Sequence, residues 1–597
     1  MLESNGTTLC RNPAACRELG MTTRQAAGAP IYGISWCRVL AAFTILSGLV
    51  SIIFILDDTT YPDTLSRLLI FEHLLRQQDV AGSILVIVLA AAAWLLRKFP
   101  PPIDPIRVLG QKPWFTAAAA FIVLCTATLT ITLNHPLAGD EHIALFQARA
   151  FAAGHLTGRF PRDMVSHLIP ALYQQHWLIT TDDGRVASTY WPGYSLILAP
   201  FTLIGTPWAC NPLLASLSLV LLSKTATKLT SDPRAGGWAI LFALASPGFA
   251  GMAISYFSMT AHLFLNLLFA WLLLERTRAR LVAAGVVGSV ALVLSNPVPH
   301  ILFALPWVLW IDRQPGGRRQ LLALGAGYAP LSLLLGLGWW LFLRHLQGNT
   351  GALPYLPDGN LLHRLGNWIW YLLLEFRNVF AVPGSDTLSK RIGEQVRLWS
   401  WAVPGLPLLA LAGWWILGRR VVELRLFAYS LVTTLLGYLC VSFDQGYGWG
   451  ARYVHPAWSA LPILASAAMV SAGKCRQGLE LKNYVTRLAL YSLVFATALR
   501  LFQIRLFMTE QLALRPPFDR GSREIVFIAR NFDYYTQDFV QNDPFLRNPV
   551  IFMMSRGRKA DYRDVIKRHF PAARLTYDGP NGQVWRLPAI RPALSPP

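Results

Sequence analysis

Charge is scarce in this sequence: only 14% of its 597 residues are Asp, Glu, Lys or Arg, against 54% hydrophobic, and the mean hydropathy is +0.40. That balance excludes a soluble globular protein of this size, and the natural solvent for such a chain is lipid. Acidic residues are scarcer than basic ones, 32 against 53, which leaves a net charge of +21. Most of the basic excess sits in short connections between apolar runs, as the positive-inside rule predicts, so it argues for membrane topology and against nucleic-acid binding. The seven cysteines are odd in number, scattered and without a CxxC pair, which supports neither a disulfide framework nor a zinc site. The first apolar run, Val39–Leu56, is too long for a signal-peptide core, lacks a small-residue cleavage site and is followed by many similar runs. No internal repeat of the inverted-transporter kind is visible.

What the sequence does hold is a series of about thirteen apolar runs of membrane-spanning length between residues 38 and 504. They predict an all-α polytopic membrane protein with a small C-terminal α/β domain outside the cytoplasm. Four regions are expected. Residues 1–37 form a cytoplasmic N-terminal segment, and 38–113 a transmembrane hairpin with a basic, proline-rich cytoplasmic loop. Residues 114–504 form the main transmembrane domain, with long outer loops at 134–191 and 344–400. In residues 505–597, strand-like runs at Ile525–Ile528, Val550–Met554 and Arg574–Tyr577 predict the α/β domain. An odd number of crossings places this domain outside, opposite a cytoplasmic N-terminus. The stretch 192–223 is ambiguous between one crossing and two, and Lys224, Lys228 and Arg234 favour one. In the first long loop Ile143, Phe146, Ala150 and Ala153 recur at helical spacing, which predicts an amphipathic helix lying on the membrane surface.

Three groups of residues are candidates for chemistry. The first is Gly139-Asp140-Glu141-His142, directly after a span and directly before that helix. A carboxylate at the bilayer rim can take a proton from an attacking hydroxyl, or it can simply cap the helix. Asp140 and Glu141 point about 100° apart and so are not expected to share one role. The second is Gly446-Tyr447-Gly448-Trp449-Gly450-Ala451-Arg452-Tyr453-Val454-His455. Its glycines allow close backbone approach, and Arg452 and His455 are placed to hold a phosphate; the alternative is an aromatic belt with a snorkelling arginine. The third comprises polar residues at span ends: Ser258 with His262, Asn296 with His300, and Tyr190 with Pro192-Gly193.

These pieces resemble the GT-C superfamily of membrane glycosyltransferases, especially protein mannosyltransferases and the lipid A aminoarabinose transferases. The matching residues are Gly139-Asp140-Glu141 with Gln147-Ala148-Arg149 and Gly154, the Tyr190-Trp191-Pro192-Gly193 end of the loop, and Gly448-Trp449-Gly450-Ala451-Arg452-Tyr453. The resemblance covers most of residues 114–597 and makes the hairpin of spans 1 and 2 an N-terminal addition. It implies a polyprenyl-phosphate-linked sugar donor, a glycan, lipid or protein acceptor, and Asp140 as catalytic base with Glu141 second. Arg452, His455, Arg149 and Arg159 would meet the donor phosphate, and Tyr190, Tyr453, His262 and His300 would line the substrate site. The sequence departs from the family in two ways. Some relatives carry a further acidic residue in the next outer loop, whereas Ser255–His262 has none, so a two-carboxylate or metal-bridged site is not supported; a divalent metal stays open, and no cofactor is specified by the sequence. The aminoarabinose transferases have a loop lysine near their substrate, and residues 134–191 contain no lysine.

A transporter or lipid flippase predicts ionisable groups near mid-membrane, while most of the candidates here fall at the outer rim. A non-catalytic envelope scaffold leaves the grouping of Asp140, Arg452 and His455 on one side unexplained. The absence of cysteine from the outer segments and of a retention signal suits the inner membrane of a bacterium, with the site in the periplasm.

Overall fold

The computed structural model describes residues 36–56, 68–174, 177–347, 382–441, 445–472, 476–555 and 559–588, with isolated positions at 366, 377 and 380. Residues 1–35, the first acidic loop at Asp57, Asp58 and Asp63, and most of 344–381, including Trp368 and Trp370, lie outside the described residues.

Among the described residues, seven helices are long and apolar enough to cross a membrane: Trp36–Leu56, Leu69–Leu95, Pro113–Thr130, Pro207–Thr230, Gly317–Gln347, Val422–Leu439 and Arg476–Ala513. Pro233–Leu244 and Pro247–Ala253 make an eighth if taken as one span bent by 70°. Pro247 has no N–H to continue the first helix, and the chain turns there. Gly193–Leu203, Met259–Leu273, Val298–Asp312 and Leu406–Gly418 are apolar but shorter. The ambiguous stretch after Trp191 is therefore one short helix followed by one long span. The long helices present Leu46, Ile53, Phe115, Ile122, Leu322 and Leu334 outward, a greasy exterior that a membrane covers. The chain is a multi-pass membrane protein.

Inside the bundle, packing is by aromatic and small residues, with Trp307 and Phe303 against Phe427. The N-terminal hairpin is part of this interior. The Asp79 carboxylate is fully buried; Oδ1 accepts from Trp401 Nε1 at 2.8 Å and from Arg500 Nη1 at 2.9 Å, and Oδ2 accepts from Arg397 Nε at 3.1 Å. Charges at this depth persist only when paired. Span 2 accordingly begins at Leu69 and carries Glu72, Arg76 and Asp79 within its helix.

The last span continues to Ala513 before the C-terminal domain begins. That domain is a four-stranded sheet of β4 (Glu524–Ile528), β5 (Val550–Met554), β6 (Arg574–Gly579) and β7 (Gly582–Arg586), in the order β5-β4-β7-β6, with the helix Lys559–His569. β4 runs parallel to β5 and antiparallel to β7, and β6 and β7 form a hairpin. Every β4 residue is buried, which its unbroken apolar run Ile525–Ile528 requires.

The 134–191 segment lies between the bundle and this domain. It supplies the helix Gly139–Ala152 and a small antiparallel sheet, β1 (Gly158–Arg159), β2 (Leu178–Thr180) and β3 (Arg185–Ser188), in the order β1-β3-β2. The helix is enclosed on both sides, unlike the membrane-surface helix that its periodicity suggests. Ala144, Leu145 and Ala148 pack with Tyr194, Leu198 and Leu294 of the bundle, while Ile143 and Phe146 join Ile525, Phe527 and Met553 of the C-terminal sheet.

Candidate active site

The site is built at the first turn of the Gly139–Ala152 helix. Its N-cap is Ala138, which has no side chain to cap with, and Glu141, the third helical residue, folds back onto the backbone just before the helix. Glu141 Oε2 accepts from the backbone N–H of Leu137 at 2.7 Å and of Ala138 at 3.2 Å, and Oε1 from Tyr256 N–H at 2.6 Å. The residue is 2% exposed. Burial pushes its carboxyl up to about 7 against the pull of those three N–H donors. Glu141 thus fastens the helix start to the 255–258 segment, which carries no acidic residue of its own.

Asp140 accepts no backbone N–H of the helix start among the described residues. Its Oδ1 accepts from the Tyr190 hydroxyl at 2.6 Å and its Oδ2 from Arg452 Nη2 at 2.7 Å. Its side chain keeps 29% of its accessibility, against 7% for Arg452, so the carboxylate is the open member of a half-buried ion pair. Burial pushes the Tyr190 hydroxyl well up, and the neighbouring Asp140 charge adds to the effect, so this group stays a hydrogen-bond donor.

Arg452 is aimed by its own loop. Gly446, Gly448 and Gly450 all have positive φ, at 65°, 153° and 62°, and a Cβ on Gly448 would lie 3.0 Å from Arg452 Cδ. Gln445 closes the loop by donating from Nε2 to the Gly450 carbonyl at 3.1 Å while its Oε1 accepts from Arg452 N–H at 2.8 Å. The guanidinium lies over the Phe257 ring at 4.0 Å, and its Nη1 donates to the Tyr447 carbonyl at 3.2 Å. Its Nε is buried without a partner among the described residues. Tyr453 stacks on Tyr438 with ring centroids 4.4 Å apart.

The fold therefore gathers Asp140, Tyr190 and Arg452, with Glu141 and Tyr453 beside them. The other candidates stand apart from this contact set. Arg149 is half-buried, with its guanidinium pKa lowered by burial, and forms no ion pair among the described residues. Arg159 is exposed on β1, opposite Arg185. His300 is held inside the bundle by Asn266 at 2.7 Å and the Tyr328 hydroxyl at 2.6 Å, and Asn266 donates to the Pro456 carbonyl at 3.0 Å. His262 is fully buried, and His455 stacks on Trp458. No group of three or more His, Cys, Asp or Glu suited to a metal ion occurs among the described residues. The sequence offered no signal for Gln445 or for Phe257, whose roles appear only once the loop is folded.

No protein-family model matches the chain, and no curated protein is significantly similar to it. Among solved structures, ArnT from Cupriavidus metallidurans bound to undecaprenyl phosphate is similar at 14% identity and a TM-score of 0.47, over 80% of this chain and 98% of that one. The arabinosyltransferase EmbB from Mycobacterium smegmatis is similar at 12% identity and a TM-score of 0.32, over 66% of this chain and 34% of that one.

Proposed function

We propose that this protein is an inverting membrane glycosyltransferase that moves a sugar from a polyprenyl phosphate to an acceptor hydroxyl or amine. The observation that carries this reading is the Asp140–Arg452 pair, an accessible carboxylate beside a buried guanidinium at one end of a lipid-facing bundle. A base and a phosphate-binding cation side by side are what direct displacement at an anomeric carbon requires. In the proposed step the acceptor oxygen or nitrogen bonds to the anomeric carbon and its proton passes to Asp140. The bond from that carbon to the phosphate oxygen breaks, with its electron pair leaving on the polyprenyl phosphate. Arg452 turns part of its hydrogen bonding from Asp140 to the phosphate, which both stabilises the leaving group and frees Oδ2 for the proton. Tyr190 keeps Oδ1 oriented, and Glu141 fixes the turn that presents Asp140.

The topology proposed with this reading has about thirteen crossings, a cytoplasmic N-terminus, and the site and C-terminal domain in the periplasm of a bacterial inner membrane. The donor tail lies among spans, so donor and acceptor meet at the membrane surface. The glycan, lipid or protein that accepts the sugar, and the sugar itself, are to be found by the same assay that tests the activity. Purified protein in nanodiscs is given polyprenyl-phosphate-linked sugars and candidate acceptors. Acceptor-dependent release of polyprenyl phosphate is expected, and binding of the donor lipid without release under any acceptor would remove the enzymatic reading in favour of lipid transport.

A further inference from the structure

Besides the packing of Ile143 and Phe146 on its sheet, the C-terminal domain meets the surroundings of the site through the short segment 533–541. Asp538 is 6% exposed. Its Oδ1 accepts from the Tyr173 hydroxyl of the 134–191 segment, and its carboxyl also takes a backbone hydrogen bond from Gly139, the residue before Asp140. A Cβ on Gly139 would lie 2.5 Å from the Tyr173 hydroxyl oxygen, so only glycine lets these three groups close up. Three residues on, Gln541 donates from Nε2 both to the Pro136 carbonyl and to the Asp538 carbonyl at 2.8 Å each. Three residues back, Tyr535 stacks on Tyr447 at 5.3 Å and 14°, and the Tyr447 carbonyl is an acceptor for Arg452. Tyr535 adopts φ 49°, a conformation rare for a side-chain-bearing residue and one that its surroundings must enforce. Finally, Ile70 N–H of the second span donates to the Asp533 carbonyl at 3.1 Å.

One stretch of the C-terminal domain therefore touches the chain just before Asp140, the loop that covers it and the loop that carries Arg452. We propose that Asp538 is a positioning residue of the active site, holding the first turn of the Gly139–Ala152 helix so that Asp140 meets Tyr190 and Arg452. The C-terminal domain is then a component of the site, although no residue of it need touch substrate. This inference rests on the transferase reading for its kinetic consequence but not for its structural one. Burial, with the Asp140 charge adding to it, holds the Asp538 carboxyl well above the ordinary range. A neutral Asn of the same shape is therefore the conservative replacement, whereas Ala removes the acceptor.

The test compares Asp538→Ala, Asp538→Asn and wild type in nanodiscs by two readouts. The first is kcat and KM for the lipid-linked donor, together with equilibrium binding of polyprenyl phosphate. Asp538→Ala should lose about tenfold or more in kcat with KM and polyprenyl phosphate binding within about threefold of wild type, and Asp538→Asn should recover most of the loss. The second is hydrogen exchange of the amides at 139–142, which should quicken in Asp538→Ala while β4 and β5 exchange as in wild type. Unchanged exchange at 139–142 overturns the proposal whatever reaction the site performs. Faster exchange with an unchanged kcat, or a loss of lipid binding that matches the loss of kcat, overturns it as well. If wild type releases no polyprenyl phosphate, the transferase reading has failed, and the exchange measurement alone decides the role of Asp538.

Discussion

Replacing Asp140 with Asn separates the two jobs that the carboxylate is proposed to do, because they respond with opposite sign. Asn keeps the volume and one acceptor oxygen. With its carbonyl towards Arg452, its amide faces the Tyr190 hydroxyl, which can accept as well as donate, so both contacts at 2.6 and 2.7 Å persist in altered form. Glu141, not Asp140, accepts from the Leu137 and Ala138 N–H groups that lead into the helix, so those bonds are untouched. What disappears is the negative charge beside a guanidinium that is 7% exposed. Two unit charges about 4 Å apart at an effective dielectric of about 20 attract by roughly 4 kcal/mol. The 29% accessibility of Asp140 and the remaining carbonyl contact reduce the change to about 1–2 kcal/mol. Arg452 is released by that amount, so polyprenyl phosphate should bind roughly 5- to 30-fold more tightly. Turnover should fall by about a hundredfold or more because no base remains. The measurements are lipid binding and single-turnover transfer in nanodiscs, on protein shown to be folded. Turnover equal to wild type would sink the assignment of the base, and a donor affinity that falls along with turnover would refute the charge-pair argument.

Glu141→Gln tests the clamp. A carboxyl moved by burial from 4.5 to about 7 stabilises the fold fully below pH 4.5 and loses that contribution as pH rises through 7, worth roughly 3 kcal/mol. Melting of wild type against Glu141→Gln across pH 4.5 to 8 should show the wild type losing ground with rising pH, and parallel curves would contradict it. Arg452→Lys keeps the charge but cannot hold the Tyr447 carbonyl, Asp140 and a phosphate in one plane, so transfer should drop about tenfold or more; full activity in Arg452→Ala would take this residue out of the mechanism. For sidedness, single cysteines at Asp183 and Asp578, in a chain whose own cysteines are replaced, should react with an impermeant thiol reagent in intact cells, and protection of both until lysis would invert the proposed topology.

Hydropathy locates Trp36–Leu56 and Pro113–Thr130 well because these helices meet lipid on most sides and are apolar all round. It fails at the start of span 2, where Asp79 looks like a flank and is instead neutralised by arginines more than three hundred positions away. The helix after Gly139 is legible from its spacing, yet its burial is not, since its covering surface comes from the C-terminal sheet. Strands of two to four residues, as in β1, β2 and β3, carry no periodicity to read. In the C-terminal sheet, β4 and β5 follow from apolar runs and β6 from a strand-like run, while β7 is defined by its hairpin with β6. At the site, residue types pointed to Asp140 and Arg452 separately; their pairing spans 312 positions and belongs to the fold. Asp538 sits in a polar stretch with nothing local to mark it, and its partner Tyr173 lies 365 positions earlier.

Asp79 also sets the order in which the protein can be made. The hairpin that carries it is synthesised early, and a carboxyl within a bilayer costs on the order of 2.5–3.5 kcal/mol until it finds partners. Arg397 and Arg500 follow it by more than three hundred residues. Distant parts of the chain therefore mature together: the hairpin stays a strained lodger in the membrane until its arginines arrive, and the final span brings one of the cations that neutralise it. A chain that ends before Arg397 leaves a hairpin already threaded into the bilayer with its charge unanswered.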